Sequence, residues 1–225
     1  MNYARGAMAP SGRLSYQLLK SVADPSFEEF FRIYAESIHP REQKPKSLIA
    51  KMTGRPDYRI FLQNEGEDVT GFSIVFAPPR EEFCLLEYMA VDSRRRSSGL
   101  GGQLFQHTTQ AMVTPQGALL PMVLEVDSDR EPSDDQPLRT RRLEFYKRLG
   151  CLRVAKLSYI LPLAGQGAVP EMYLLVHAAP ELRAIRKSEL QHWLAVIYET
   201  VYACPPDDPR IARMLEGMSD PAVLE

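Results

Sequence analysis

The chain runs to 225 residues and is 44% hydrophobic, which suits one domain with a substantial core and requires no second one. Its 27 basic and 29 acidic side chains leave a formal net charge of -2, so the overall field gives no ground for expecting nucleic acid or an anionic membrane as a partner. Three cysteines, Cys84, Cys151 and Cys204, show no Cys-x-x-Cys spacing and argue for reduced thiols in a cytoplasmic protein; no apolar run nears the roughly 20 residues of a membrane span, and the first residues lack the basic-then-apolar order expected of a secretory signal.

Residues 1–12, rich in Gly, Ala and Pro, read as a flexible arm. Behind the start signal Asp24-Pro25, the spacing of Phe27, Phe30, Phe31, Ile33 and Tyr34 predicts an amphipathic helix from Ser26 to Ile38, ended by Pro40. Lys46 to Met52 reads as a second, short helix. Tyr58 to Gln63 and Val69 to Phe76 form a predicted hairpin around Asn64-Glu65-Gly66-Glu67-Asp68, and Phe83 to Val91 is the next strand. A helix over Gly101 to Val113 and a strongly apolar strand over Leu119 to Val126 follow. Asp127 to Pro137 is an acidic loop, either a lid or a solvated connection. Arg139 to Leu149 is helical; Arg153 to Leu161 and Met172 to Val176 read as closing strands around an irregular Pro162 to Pro170 excursion. Ser188 to Tyr202 is a last helix whose Leu190, Trp193, Leu194, Val196, Ile197 and Val201 must cover either the same domain or a second copy. One domain over 13–180 with a helical extension over 181–225 is expected.

The most informative stretch joins the strand Leu85 to Val91 to Arg94-Arg95-Arg96-Ser97-Ser98-Gly99-Leu100-Gly101-Gly102. An Arg-x-x-Gly-x-Gly turn after an apolar strand allows close approach of the backbone to a ligand. It also leaves the first N–H groups of the next helix free for a pyrophosphate. No Lys-Ser or Lys-Thr follows, so this is not a Walker loop, and the Gly-x-Gly-x-x-Gly spacing of a dinucleotide site is missing. With the later Phe145-Tyr146-Lys147-Arg148-Leu149-Gly150-Cys151, it resembles the GNAT N-acetyltransferases, whose second signature is Phe-Tyr-x-x-x-Gly-Phe. Cys151 stands where that family usually has an aromatic.

The resemblance implies a mixed α/β fold with a mostly antiparallel, twisted sheet splayed at its centre, and acetyl-CoA or a related acyl-CoA as donor. The main chain of Met89, Ala90 and Val91 would pair with the pantetheine arm, and Arg96 with the amides from Ser97 through Ser98, Gly99, Leu100 and Gly101 to Gly102 would take the pyrophosphate. Arg94 or Arg95 would reach a further phosphate. Tyr146 would donate a proton to the departing thiolate.

A general base must be a carboxylate near the acceptor amine. Glu87 leads, since strand alternation sets it on one face with Met89 and Val91. Glu125 and Asp127, on one face of a later strand, are the alternatives, and Asp127 also fits as the start of the acidic loop. Glu42, in the loop after the first helix, is a candidate to hold the acceptor's ammonium. His39, His107, His177 and His192 lack a metal-binding spacing, and no metal is expected. The expected reaction is direct acetylation of a small-molecule primary amine, cationic if the carboxylates decide it. The alternatives are a protein lysine or N-terminal acetyltransferase and a non-catalytic acyl-CoA-binding module. A homodimer is a possible assembly.

Overall fold

In the computed structural model, which describes residues 13–130, 132–162 and 172–225, the chain opens with β1 (Leu14–Leu18), α1 (Ser26–Ser37) and α2 (Lys46–Met52). The strands β2 (Tyr58–Glu65), β3 (Asp68–Phe76) and β4 (Cys84–Val91) follow, then α3 (Leu100–Ala111), β5 (Met122–Asp127) and α4 (Gln136–Arg148). The remainder is β6 (Leu152–Arg153), β7 (Met172–His177), β8 (Ala184–Ile185), α5 (Lys187–Tyr202), α6 (Pro209–Leu215) and β9 (Ala222–Val223). The expected arm over 1–12, Glu131, and all of the predicted Pro162 to Pro170 excursion beyond Pro162 lie outside the described residues.

Seven strands form one sheet in the order β1-β2-β3-β4-β5-β7-β6, antiparallel throughout except between β4 and β5. That pair is parallel because the helical crossover α3 joins them, as a short turn cannot. Helices cover both faces. On one, α1, α2, α5 and α6 bury Phe30, Tyr34, Ile49, Trp193, Ile197 and Met214 against Phe72, Ile74 and Phe76. On the other, α3 and α4 bury Phe105, Leu143 and Tyr146 against Val75, Leu86, Leu124 and Leu175. The apolar face of α5 therefore lies on its own domain: Trp193 stacks on Phe83 with ring centroids 5.3 Å apart. No helix among the described residues is long and apolar enough to cross a membrane. Cys84, Cys151 and Cys204 are all free thiols.

Several element boundaries differ from expectation for local reasons. α4 begins three residues early, at Gln136, because Pro137 fits the first turn, where its missing N–H would be unpaired anyway. β5 begins at Met122 rather than Leu119, just after Pro121, which has no N–H for the ladder and contributes only its carbonyl, to Cys84 N–H. The predicted strand Arg153 to Leu161 shrinks to Leu152–Arg153 with single bridges at Val154 and Tyr159. Lys156, at φ +62°, turns the backbone out of the strand, and Arg153 and Ala155 donate their N–H groups to Glu225 and Val223 at the chain's end. β1, unexpected from sequence, pairs with β2 along its whole length.

Candidate functional site

β4 pairs with β5 only from Cys84 to Leu86. Beyond Leu86 the two strands part, and the β5-facing edge of β4 from Glu87 to Val91 has no strand partner among the described residues. That edge contains the main chain of Met89, Ala90 and Val91 and runs into a 3-10 turn at Ser93–Arg95 and then α3. Ser97 (φ +66°) and Gly99 (φ +83°) both take the left-handed conformation, which folds the chain back into the helix start. The first helical bonds are donated by Gly102 and Gln103 to the Gly99 carbonyl, so the amides of Ser98, Gly99, Leu100 and Gly101 stay open at the positive end of the helix dipole. A Cβ at Gly101 would make an ordinary van der Waals contact with Phe145, 3.5 Å away, where α4 lies against the first turn of α3.

The loop is held from beneath by Asp92. Its buried carboxylate accepts from the Arg94 backbone at 2.9 Å, from Arg94 Nη2 at 2.6 Å and from Arg32 Nη2 at 2.5 Å. The hydrogen bond from Arg94 comes first among the effects that hold this carboxyl well below the usual range. Arg94, expected at a phosphate, is thus tied to Asp92 and also lies 3.3 Å from Glu29. Arg95 is paired with Glu65 at 2.6 Å. Arg96 is exposed and has no ion pair among the described residues, so of the three arginines it is the one available to an anion.

At the point of parting, β4 carries a bulge. Ile74 of β3 faces Tyr88 and Val75 faces Leu86, leaving Glu87 as the extra residue. Alternation had set Glu87 with Met89 and Val91; the bulge overturns this. Tyr88 and Ala90 pack with the α1–α5 layer, as do Tyr58 and Tyr202, which Glu87 influences electrostatically, whereas Leu86 and Met89 join the α3–α4 layer. Glu87 is ion-paired with Lys44, both side chains being largely buried. The second carboxylate oxygen, Oε2, is buried without a hydrogen-bond partner among the described residues.

Lys44 comes from the loop between α1 and α2, which is pinned at both ends of its reach. Tyr34 Oη accepts from Lys44 N–H at 2.7 Å, Tyr88 Oη donates to the Glu42 carbonyl at 2.7 Å, and Gln43 Nε2 donates to the Ile38 carbonyl at 2.7 Å. The Lys44 ammonium lies 5.5 Å from the centre of the Tyr88 ring and 5.8 Å from that of Tyr202, distances at which aromatic rings attract a cation.

Across the opening, Glu125 of β5 accepts hydrogen bonds from the hydroxyls of Tyr159 and, at 2.5 Å, Tyr202. Burial pushes its carboxyl up to about 7; Glu87 adds to the rise, while the two tyrosines and Lys44 oppose it. Asp127, two residues on, is paired with Arg142 of α4 at 2.7 Å. Glu42 is exposed on one side and crowded on the other: burial first, then Asp127, raises its carboxyl, against Arg142 and His39. The acidic loop is matched by its own surroundings, since Thr140 donates to Asp129 at 3.0 Å and Arg139 pairs with Asp135 at 2.9 Å. Tyr146 is buried edge-on against Phe105 and Phe145, with centroids at 5.6 and 5.1 Å. Burial raises its phenol to about 12, and no hydrogen bond contributes to that shift. Cys151 fills the same layer as a small buried hydrophobe.

The structure therefore brings Glu87, Glu125 and Lys44 within electrostatic reach of one another and sets Glu42, Asp127 and Arg142 together. Sequence reasoning missed Lys44, Tyr159 and Tyr202. Tyr198 and Tyr202, four apart beside Trp193, Leu194 and Ile197, were the available signal for α5; Lys44 sits in no periodic pattern.

The fold has counterparts among known proteins. A model of the acetyltransferase (GNAT) family matches residues 25–151, while no curated protein matches the chain. Among solved structures, a protein described as an acetyltransferase from the GNAT family of Bacteroides thetaiotaomicron has a TM-score of 0.68 at 22% identity, covering 85% of this chain and 99% of that one. The ribosomal-protein-S18-alanine N-acetyltransferase of Escherichia coli scores 0.53 at 15% identity, over 76% and 99% of the two chains. The spermidine N-acetyltransferase of Vibrio cholerae, in complex with CoA and spermine, scores 0.53 at 12% identity, over 73% and 94%. At such identities the structures show a common fold. The family model reaches further, since it takes in the β4 edge, the glycine turn and the Phe145-Tyr146 segment within more than half of the chain, and on that ground the chain belongs to the GNAT family of acetyltransferases.

Proposed function

We propose that the protein transfers an acetyl group from acetyl-CoA to the primary amine of a small molecule by direct attack. The observation that carries this reading is the edge of β4 beyond Leu86, which leads through the turn at Ser93–Arg95 to the open amides of the α3 start. Main-chain donors along an extended edge suit a pantetheine arm, and those at a helix start suit a pyrophosphate. Bound there, acetyl-CoA supplies an electrophilic thioester carbonyl and a leaving thiolate. Met89, Ala90 and Val91 hold the donor through their main chain, one of their N–H groups polarising the carbonyl. Arg96 and the amides from Ser97 to Gly102 hold the phosphates.

Glu125 takes the proton from the acceptor's ammonium. A carboxylate with a pKa of about 7 is well matched to proton transfer near neutrality. Glu87, the first choice from sequence, is committed to Lys44 and turned by the bulge toward the other layer, which favours Glu125 for the role. Tyr146 keeps a proton at its hydroxyl for the departing sulfur. Glu42, Asp127 and Arg142 contact the far end of the acceptor. Tyr202 and Lys44 reach into the gap between the strands from α5 and the α1–α2 loop, and this closure supports a small acceptor over a protein tail, which needs an open groove.

The test is calorimetric titration of acetyl-CoA into wild type and Arg96→Glu, followed by a screen of primary amines for thiol release. The reading expects saturable binding by wild type, weakened roughly tenfold or more in the variant by loss of a charge-assisted contact, and amine-dependent thiol release. Binding without release for any amine would leave a binding module, and no binding would overturn the reading.

A further inference from the structure

The polar centre of the opening already contains a primary amine, and it belongs to the protein. Lys44 is delivered there by a loop fixed through Tyr34, Tyr88 and Gln43. Its ammonium is bound by Glu87, flanked by the rings of Tyr88 and Tyr202, and within electrostatic reach of Glu125. These are the groups an acceptor amine would need: anions and aromatic faces to hold it charged, and a base to discharge it. Glu87 Oε2 is buried without a hydrogen-bond partner among the described residues, so the carboxylate beside Lys44 has an acceptor that the ion pair leaves unused. A structural ion pair alone requires neither the second carboxylate nor the unfilled oxygen.

We propose that Lys44 is a self-acetylation site, occupying the acceptor amine's place when no acceptor is bound. This rests on the acetyl-CoA-dependent reading above. In the reaction, Lys44 Nζ gives up a proton to Glu125 and forms a C–N bond to the acetyl carbonyl carbon. The C–S bond breaks, its electron pair stays on sulfur, and the thiolate takes a proton from Tyr146; the nitrogen's second proton leaves the adduct and reprotonates the Tyr146 phenolate, and Glu125 releases its proton to solvent, giving neutral Nε-acetyl-lysine and free CoA. The modification removes the positive charge that pairs Glu87 and takes the competing amine out of the opening.

The experiment incubates wild-type protein with acetyl-CoA and no added amine, then follows acetyl occupancy of each lysine by peptide mass spectrometry. Lys46 is the internal comparison: its side chain is 47% exposed against 16% for Lys44, so uncatalysed chemistry favours Lys46. The proposal expects Lys44 to be acetylated about tenfold or more faster than Lys46, as expected for a reactant held in place, and the fast phase to vanish from Lys44→Arg. Labelling in order of exposure, or an unmodified Lys44, overturns it. If amines release thiol while Lys44 stays unmodified, this inference alone falls; if acetyl-CoA does not bind, the functional reading falls with it.

Discussion

At the scale of single residues, the proposed chemistry turns on one carboxyl and one phenol whose surroundings pull them from their ordinary behaviour. Glu125 loses solvent, which favours its neutral form, and recovers part of the loss through Tyr159 and Tyr202. Below about pH 7 the group is protonated and accepts nothing, so kcat/KM should climb with pH through an acid limb centred near 7. Glu125→Gln should remove that limb and lower the rate about 10²- to 10⁴-fold. Because the tyrosines hydrogen-bond the charged form, Tyr202→Phe should move the limb to higher pH, and a limb that stays in place would count against Glu125 as the base. Tyr146, raised to about 12, remains protonated through the working range and should add no alkaline limb of its own; Tyr146→Phe should reduce kcat about 10²-fold with little change in acetyl-CoA affinity by calorimetry.

At the scale of elements, the glycine turn owes its shape to the carboxylate under it. Asp92 joins α1 to the turn through Arg32 and Arg94, so one side chain fixes where the α3 amides open. Its carboxyl ionises more readily folded than unfolded, so its contribution to stability is complete above the unfolded value near 4 and fades as pH falls through the lower folded one. Asp92→Asn should therefore cost about 1–3 kcal/mol at neutral pH, with the gap in melting temperature from wild type narrowing below about pH 4. Much of this level was legible in the sequence. The Arg-x-x-Gly-x-Gly turn, the hairpin and α1 follow from small residues, turn chemistry and helical spacing. The bulge was not, because Leu85, Leu86, Tyr88 and Met89 read as an unbroken strand, and only pairing with Ile74 and Val75 shows where the extra residue falls. Lys44 was hidden for a related reason: a loop residue's destination depends on tertiary bonds such as those to Tyr34 and Tyr88.

At the scale of the molecule, α5 and α6 are part of the same core as α1 and β3. Trp193 is buried between α5 and Phe83. Trp193→Ala should cost about 3–5 kcal/mol and lower the melting temperature by on the order of 10 °C, measurable by calorimetry or circular dichroism; a change confined to catalysis would mean that α5 docks without supporting the fold. The amphipathic spacing of α5 was plain in the sequence, while its choice of surface was not. That choice has a consequence for how the chain divides its labour. The strand edge, the glycine turn and Tyr146 all fall within residues 25–151, the stretch common to the family, whereas Tyr159 and Tyr202 come from the part that follows it. The opening is thus assembled from two parts of the chain: the strand edge and helix start come before residue 152, and the hydroxyls that hold Glu125 come after it, so a change far along the sequence would be felt at the carboxyl of β5.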